Sequence, residues 1–543
     1  MFFSEAVVGL HQKYKVTMSL PNTLTVPNFR AELALNVAVI LAVLGISMQL
    51  FNITYPPMVD LPNHLARHAI QCGAPYGSNY ARYYDFGLRA VPNLFADLVY
   101  WFDAACSDIF LTNRILIQAM ILNLVVSVYI LHFALWRKIS VWPAASALLA
   151  YNASFTYGFE NFVLAAPFAI YLFALWVFLS NKNFMQLVFL VPLSFGLYFL
   201  HIIAFGFFIL LVAGWEINRA IKMRIGWREF ILRFSGVSLL FLPAMIHFIV
   251  LNTNSPMGES VTRFILLARI DALFSLTIPR IWSLLSLSDM IIPLLVFIGL
   301  AALVYVAVRK GKLQVFEGMR WGFGIFLLVA VLAPSALANV GFVHIRYPYL
   351  VAAVFIAATQ WRISLAKQAV LALAILVVFA GFTYDVRKGW LSHDAKVREL
   401  LDAAQALPED AWVLPARSEM SDVVIRHSHS QSYIGLYYPI FVPSLFNGAN
   451  PLTPKPTVKN FVATQMFPWH ISHLLAALQN YSPQETLPDS KPEKWQGWQD
   501  RFTHYLVLGD TPVDPGTLPE DVTILLTGSF FTILQNNRVL AAR

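Results

Sequence analysis

A polytopic α-helical membrane protein, with about 11 transmembrane helices and a small mixed α/β domain at its C-terminal end, is the fold class that this 543-residue sequence predicts. Three observations predict it. Apolar residues make up 58% of the chain and charged residues only 13%, against about 25% charged in soluble domains, too few to clothe a water-facing surface of this size. Apolar runs of span length recur between residues 33 and 385. The charge is also unevenly divided: residues 1–386 hold 25 Lys/Arg against 15 Asp/Glu, whereas residues 387–543 hold 13 against 15. A basic excess confined to short loops between apolar runs marks a chain oriented by the positive-inside rule and excludes a nucleic-acid partner. The aromatic content excludes a disordered chain, and two cysteines exclude a disulfide scaffold or a four-Cys zinc site.

The runs fall near 33–51, 114–136, 141–156, 162–180, 184–200, 203–217, 231–251, 290–308, 321–338, 348–361 and 369–385. Residues 1–30 do not read as a cleaved signal peptide and are placed in the cytoplasm. Every second loop should then be cytoplasmic. Those loops carry Arg137 and Lys138, then Lys182, then Arg219, Lys222, Arg224 and Arg228, then Arg309, Lys310, Lys312 and Arg320, then Arg362 and Lys367. An odd span count divides the chain into a multi-span domain, 1–385, and an extracytoplasmic domain, 386–543. Two outer loops are long, at about 52–112 and 252–288. The second contains FILLARIDALFSL, which reads as an interfacial amphipathic helix or a plain connecting helix. In the C-terminal region AWVLPA, HYLVLG, VTILLTG and FTILQ read as strands, FTILQ-NN-RVL as a hairpin, and RELLDAAQAL as a helix stopped by Pro408.

Four groups of residues can carry chemistry. In PPMVDLPNHLARHAIQ, Pro62 suits the first turn of a helix that sets His64, Arg67 and His68 on one face, with Asp60 just before it. A capping Asp with solvated neighbours is the bland alternative. The His64–His68 spacing suits a divalent ion, to which Asp60 can add a ligand, but chance pairs of this kind are common and no metal site is assigned. Glu160 and Asn161, in YGFENFVLAAP, lie at an outer span end. His201 lies between two apolar runs, where a polar residue is costly to bury. His344 and Arg346 open another span from outside, followed by Tyr347 and Tyr349. Arg matches phosphate with a fork geometry that Lys lacks, while the tyrosines suit an interfacial belt. Cys72 and Cys106 share the first outer loop, either paired in an oxidising compartment or as free buried thiols. No GxxxxGK[ST], HExxH or CxxC motif is present, which argues against an ATP-driven pump.

The layout resembles the GT-C superfamily of membrane glycosyltransferases, which includes protein O-mannosyltransferases and bacterial aminoarabinose transferases. The segments VDLPNHLAR, YGFENF, LYFLHIIAF and GFVHIRYPYL carry the resemblance. It implies a catalytic carboxylate in the first outer loop, matched by Asp60, and basic side chains on the donor phosphate, matched by Arg346, then Arg67 and His64. His68, Glu160, Asn161, His201 and His344 are further candidate cavity residues. Asp60 is followed by Leu61 where many members carry a second acid, a departure from the family pattern. The implied donor is a polyprenyl-phosphate-linked sugar, and the implied acceptor a glycan, lipid or protein on the outer face of a bacterial inner membrane. No cofactor is implied beyond a possible divalent metal. The competing readings are a flippase or transporter of lipid-linked sugars, a non-catalytic part of an envelope polysaccharide machine, and an acyltransferase using His201.

Overall fold

The structure is a computed structural model and describes residues 26–73, 75–180, 183–254, 298–299, 301–332, 334, 336–337, 340–445, 451–462, 468–480 and 495–542. The FILLARIDALFSL segment and the 252–288 loop lie almost wholly outside the described residues. The principal helices are α1 (Val26–Ser47), α2 (Leu61–Cys72), α3 (Ile109–Trp136), α4 (Glu160–Phe178), α5 (Asn183–Leu200), α6 (Ile202–Met223), α7 (Trp227–Ser238), α8 (Leu242–Asn254), α9 (Arg320–Leu332), α10 (Val343–Ala357) and α11 (Leu365–Ala403). Among the described residues five helices are long and apolar enough to cross a membrane: Phe29–Leu50, Ile109–Trp136, Glu160–Phe178, Ile202–Met223 and Leu365–Ala406. The pair α7 and α8, bent by 54°, makes up to a sixth. The protein thus reads as a multi-pass membrane protein.

Sequence sets the ends of these helices. Asp108 accepts from Leu111 N at the start of α3, and His201 accepts from Ile203 N at the start of α6. Both helices stop at a left-handed arginine, Arg137 (φ 54°) and Arg224 (φ 48°), where positive charge meets the negative end of the helix dipole.

The 141–156 run is not a span. Trp142–Leu149 is a 3₁₀ helix, and Ala153–Thr156 a separate short helix capped by Asn152. Pro143 opens the tight helix, Asn152 interrupts the apolar run, and the buried small residues Ala144, Ala145, Ser146 and Ala147 let neighbouring helices approach. The run is therefore a buried wedge against α3, α10 and α11.

In the C-terminal region β1 (Val413–Arg417), β2 (Trp469–His470), β3 (His504–Leu508), β4 (Val522–Thr527) and β5 (Phe531–Asn536) form one sheet in the order β4-β5-β3-β1-β2. The β1 pairings with β2 and β3 are parallel, and β5 is antiparallel to β3 and β4. The four strands read from sequence are all present. The Asn-Asn hairpin is not, because Asn536 ends β5 and caps the helix Asn537–Ala541 by accepting from Val539 N. Asparagine serves helix starts as readily as tight turns, and the cap wins here. The hairpin instead joins β4 to β5. RELLDAAQAL is helical as expected, forming the end of α11 and the 3₁₀ turn Ala404–Ala406 before Pro408.

Cys72, the last residue of α2, is disulfide-bonded to Cys106 beside the start of α3 (Cα–Cα 5.3 Å). The bond closes a loop with a sequence separation of 34 residues. Replacing both cysteines with serine is expected to cost about 2–4 kcal/mol of stability, the usual value for such a loop. A lower melting temperature in detergent, reproduced in wild type by reductant, is the check.

Candidate functional site

Two neighbouring groups of buried polar side chains lie along α2. Asp60 stands at its N-cap position but caps nothing, and Pro62 opens the first turn. Every residue from Leu61 to Ile70 is buried, partly under the helix Gln431–Tyr437, whose Ser432 Oγ donates to Asn63 Oδ1 at 2.6 Å. The approach to Asp60 is held by backbone. Val59 N donates to Thr156 O (3.2 Å) and Asp60 N to Tyr157 O (2.9 Å). Gly158 turns this crossing with φ +75°, and a Cβ there would stand 3.1 Å from Asp60 N, so both conformation and space call for glycine.

In the first group the Asp60 carboxyl lies 3.7 Å from Nε2 of His429 and keeps 21% of its side-chain surface exposed, enough for a ligand to reach. Burial raises its pKa to about 7, against a counteracting pull from the Arg346 charge. His429 is pushed down to about 4 by burial and is neutral at pH 7. Arg346 is buried on α10 with its guanidinium 3.9 Å from the Phe159 ring centre and 5.2 Å from that of Phe162. Among the described residues no carboxylate lies within ion-pair distance of it. Nη2 donates a long 3.4 Å bond to Gly341 O. Nε2 of His201 also lies 3.4 Å from Nη1. Because His201 Nδ1 already accepts from Ile203 N, the proton of a neutral imidazole belongs on Nε2, and that nitrogen cannot also accept from Arg346. The guanidinium is thus desolvated, stacked on an aromatic ring and poorly supplied with acceptors, a setting that favours an anionic ligand.

In the second group Arg67 Nη2 pairs with Asp97 Oδ2 at 2.7 Å, both buried. Nε2 of His68 lies 3.3 Å from Glu160 Oε2, and its Nδ1 lies 3.9 Å from Asp97 Oδ1. The ring stacks on Tyr100 with centroids 4.2 Å apart. Asn161 Oδ1 accepts from Ala96 N at 2.6 Å and so fixes the short helix Phe95–Val99 that carries Asp97. Burial lowers both His64 and His68 to about 3, leaving them neutral at pH 7. His64 senses the charges of Glu160 and Arg67 as well as His429 and stands between the groups.

The α2 face read from sequence therefore divides. Asp60 turns to His429 and feels the charge of Arg346, whereas Arg67 turns to Asp97 and His68 to Asp97 and Glu160. Arg67 is already neutralised by Asp97, so of the two arginines Arg346 is the better placed for a ligand. Glu160 and Asn161, both candidate cavity residues, are buried at the start of α4. His344 is buried on α10 close to Phe342. Two residues escaped the sequence reading: His429, in the His/Ser-rich run RHSHSQS, and Asp97, an isolated acid in an apolar stretch. Removing one partner of the buried Arg67–Asp97 pair strands a charge, so Asp97→Ala is expected to destabilise by about 3–5 kcal/mol. Arg67→Met with Asp97→Leu should recover most of that loss in the same melting assay.

No family model and no curated protein matches the chain. Solved structures similar to it include two of one protein. ArnT from Cupriavidus metallidurans in the apo state is 13% identical with a TM-score of 0.48, over 94% of this chain and 99% of that one. The same protein bound to undecaprenyl phosphate is 12% identical with a TM-score of 0.47, over 93% and 98%.

Proposed function

We propose that the protein is a membrane glycosyltransferase that moves a sugar from a polyprenyl-phosphate carrier to a hydroxyl of an envelope glycan, lipid or protein on the extracytoplasmic face. The observation that carries this reading is the electrostatic coupling of Asp60, a partly exposed carboxyl whose pKa burial pushes up to about 7, to Arg346, a buried guanidinium that has no carboxylate within ion-pair distance among the described residues. The Cys72–Cys106 bond supports an oxidising, extracytoplasmic setting for the α2 loop.

In this mechanism the polyprenyl tail lies among the spans and the phosphate meets Arg346. The acceptor hydroxyl gives its proton to ionised Asp60 as its oxygen attacks the anomeric carbon. A new carbon–oxygen bond forms, the bond to the phosphate oxygen breaks, and the leaving phosphate carries away the electron pair. General-base assistance contributes about 10²–10⁴-fold. Arg346 stabilises the charge gathering on the phosphate in a site from which water is largely excluded. Neutral His429 positions the Asp60 carboxyl. A flippase needs the guanidinium but not the base, so the Asp60 environment favours transfer over transport.

The test uses the full chain in liposomes with radiolabelled polyprenyl-phosphate sugars. Cleavage of the sugar from its carrier is expected. Movement of intact lipid-linked sugar between leaflets without cleavage would establish the transport reading instead.

A further inference from the structure

We propose that His64, His68 and Glu160 bind a divalent transition-metal ion of the zinc class, in a site that clamps α2 to the start of α4. One ligand atom from each of the three lies within 4.8 Å of the other two. In a tetrahedral zinc site with bonds of about 2.0–2.1 Å, ligand atoms stand about 3.4 Å apart, so modest side-chain rotations close the set. His64 and His68 are one helical turn apart, with rings 6.4 Å between centroids and inclined by only 17°, so both present themselves to the same side. Two imidazoles and one carboxylate form a donor set that zinc takes with a fourth position open. It suits transition metals better than magnesium or calcium, which prefer oxygen.

The surroundings complete the pattern. Nε2 of His68 points at Glu160, while its Nδ1 faces the Asp97 carboxylate, itself held by Arg67. A histidine that offers one nitrogen to a metal and turns the other towards a carboxylate is the usual outer arrangement of such sites. Glu160 Oε1 is buried without a hydrogen-bond partner, a costly position that a cation relieves. Asp60, offered by the sequence as an added ligand, turns to His429 and lies outside the set.

The test uses the full chain, purified in detergent, stripped with chelator and titrated with Zn²⁺ against a chromophoric competitor. One ion per chain is expected, undisturbed by excess Mg²⁺. Glu160→Gln and His68→Gln should weaken binding by at least the roughly 10–100-fold that even an outer partner costs, and Asp97→Asn by roughly that range. Should the ligand variants not fold, zinc-edge X-ray absorption of the wild type decides, with two imidazole nitrogens expected at about 2.0–2.1 Å. Substoichiometric uptake, undiminished binding in folded variants, or an edge without imidazole overturns the proposal. Sugar transfer is not part of this readout, so failure here leaves the roles of Asp60 and Arg346 standing, and their failure leaves the metal site standing.

Discussion

Asp60→Asn is expected to lower sugar transfer by about 10²–10⁴-fold while the protein still inserts and folds. The reacting form of Asp60 is the carboxylate. With a pKa near 7, wild-type kcat/KM should climb about tenfold per pH unit below pH 7 and level off above it. The asparagine variant should lose that limb. Stability should move the other way. The folded-state value, about 7, lies above the ordinary 3.8, so between these pH values the native protein holds a proton that the unfolded chain has released. Wild-type stability therefore falls as pH rises through that window, and the whole penalty is present above about pH 7. Below about pH 4 both states are protonated and Asp60 contributes nothing. Asn carries no such penalty, so Asp60→Asn should melt no lower than wild type at pH 8. A variant that transfers at the wild-type rate, or that loses activity only because it unfolds, would remove Asp60 from the mechanism.

Arg346→Lys should be nearly as damaging as Arg346→Ala. Both are expected to cost about 10²–10³-fold in kcat/KM, the typical loss when one preorganised electrostatic stabiliser is removed. Lysine keeps the charge but not the planar fork or the delocalised guanidinium, whose centre lies 3.9 Å from the Phe159 ring centre. Its ammonium is also more strongly hydrated and is poorly suited to a desolvated position. Inhibition by free polyprenyl phosphate reports the same site and should weaken in parallel. Full rescue by lysine would mean that only a positive charge is needed, and unchanged inhibition would place the phosphate elsewhere.

Much of this arrangement was legible in the residues, and what was not has physical reasons. Pro62 and the His64–Arg67–His68 spacing announced α2 because helix starts and helical faces are local properties. The strand runs of the C-terminal region were legible for the same reason. That Asp60 feels the charge of Arg346 rested on resemblance, since nothing local links residues so far apart in the chain. His429 was hidden by its 369-residue separation from Asp60. Asp97 was hidden because a lone acid signals nothing until its buried arginine is known. The 141–156 run misled because apolar composition alone does not distinguish a span from a wedge buried inside the protein, and Pro143 and Asn152 were the signs of the difference. The Asn-Asn pair misled because one residue type serves two backbone roles.

Helix α11 runs unbroken for 39 residues, a rod of about 58 Å at 1.5 Å per residue, from the apolar helices to the turn between β4 and β5, where Glu399 accepts from Ser529 N. Asp394 on its C-terminal half accepts from the backbone nitrogens of Thr54 and Tyr55, a few residues ahead of Asp60. The C-terminal region therefore has no loose tether here on which to swing. A displacement of this stiff helix would be transmitted to the segment that carries Asp60. On the proposed reading, acceptor docking and alignment at the anomeric carbon are thereby coupled.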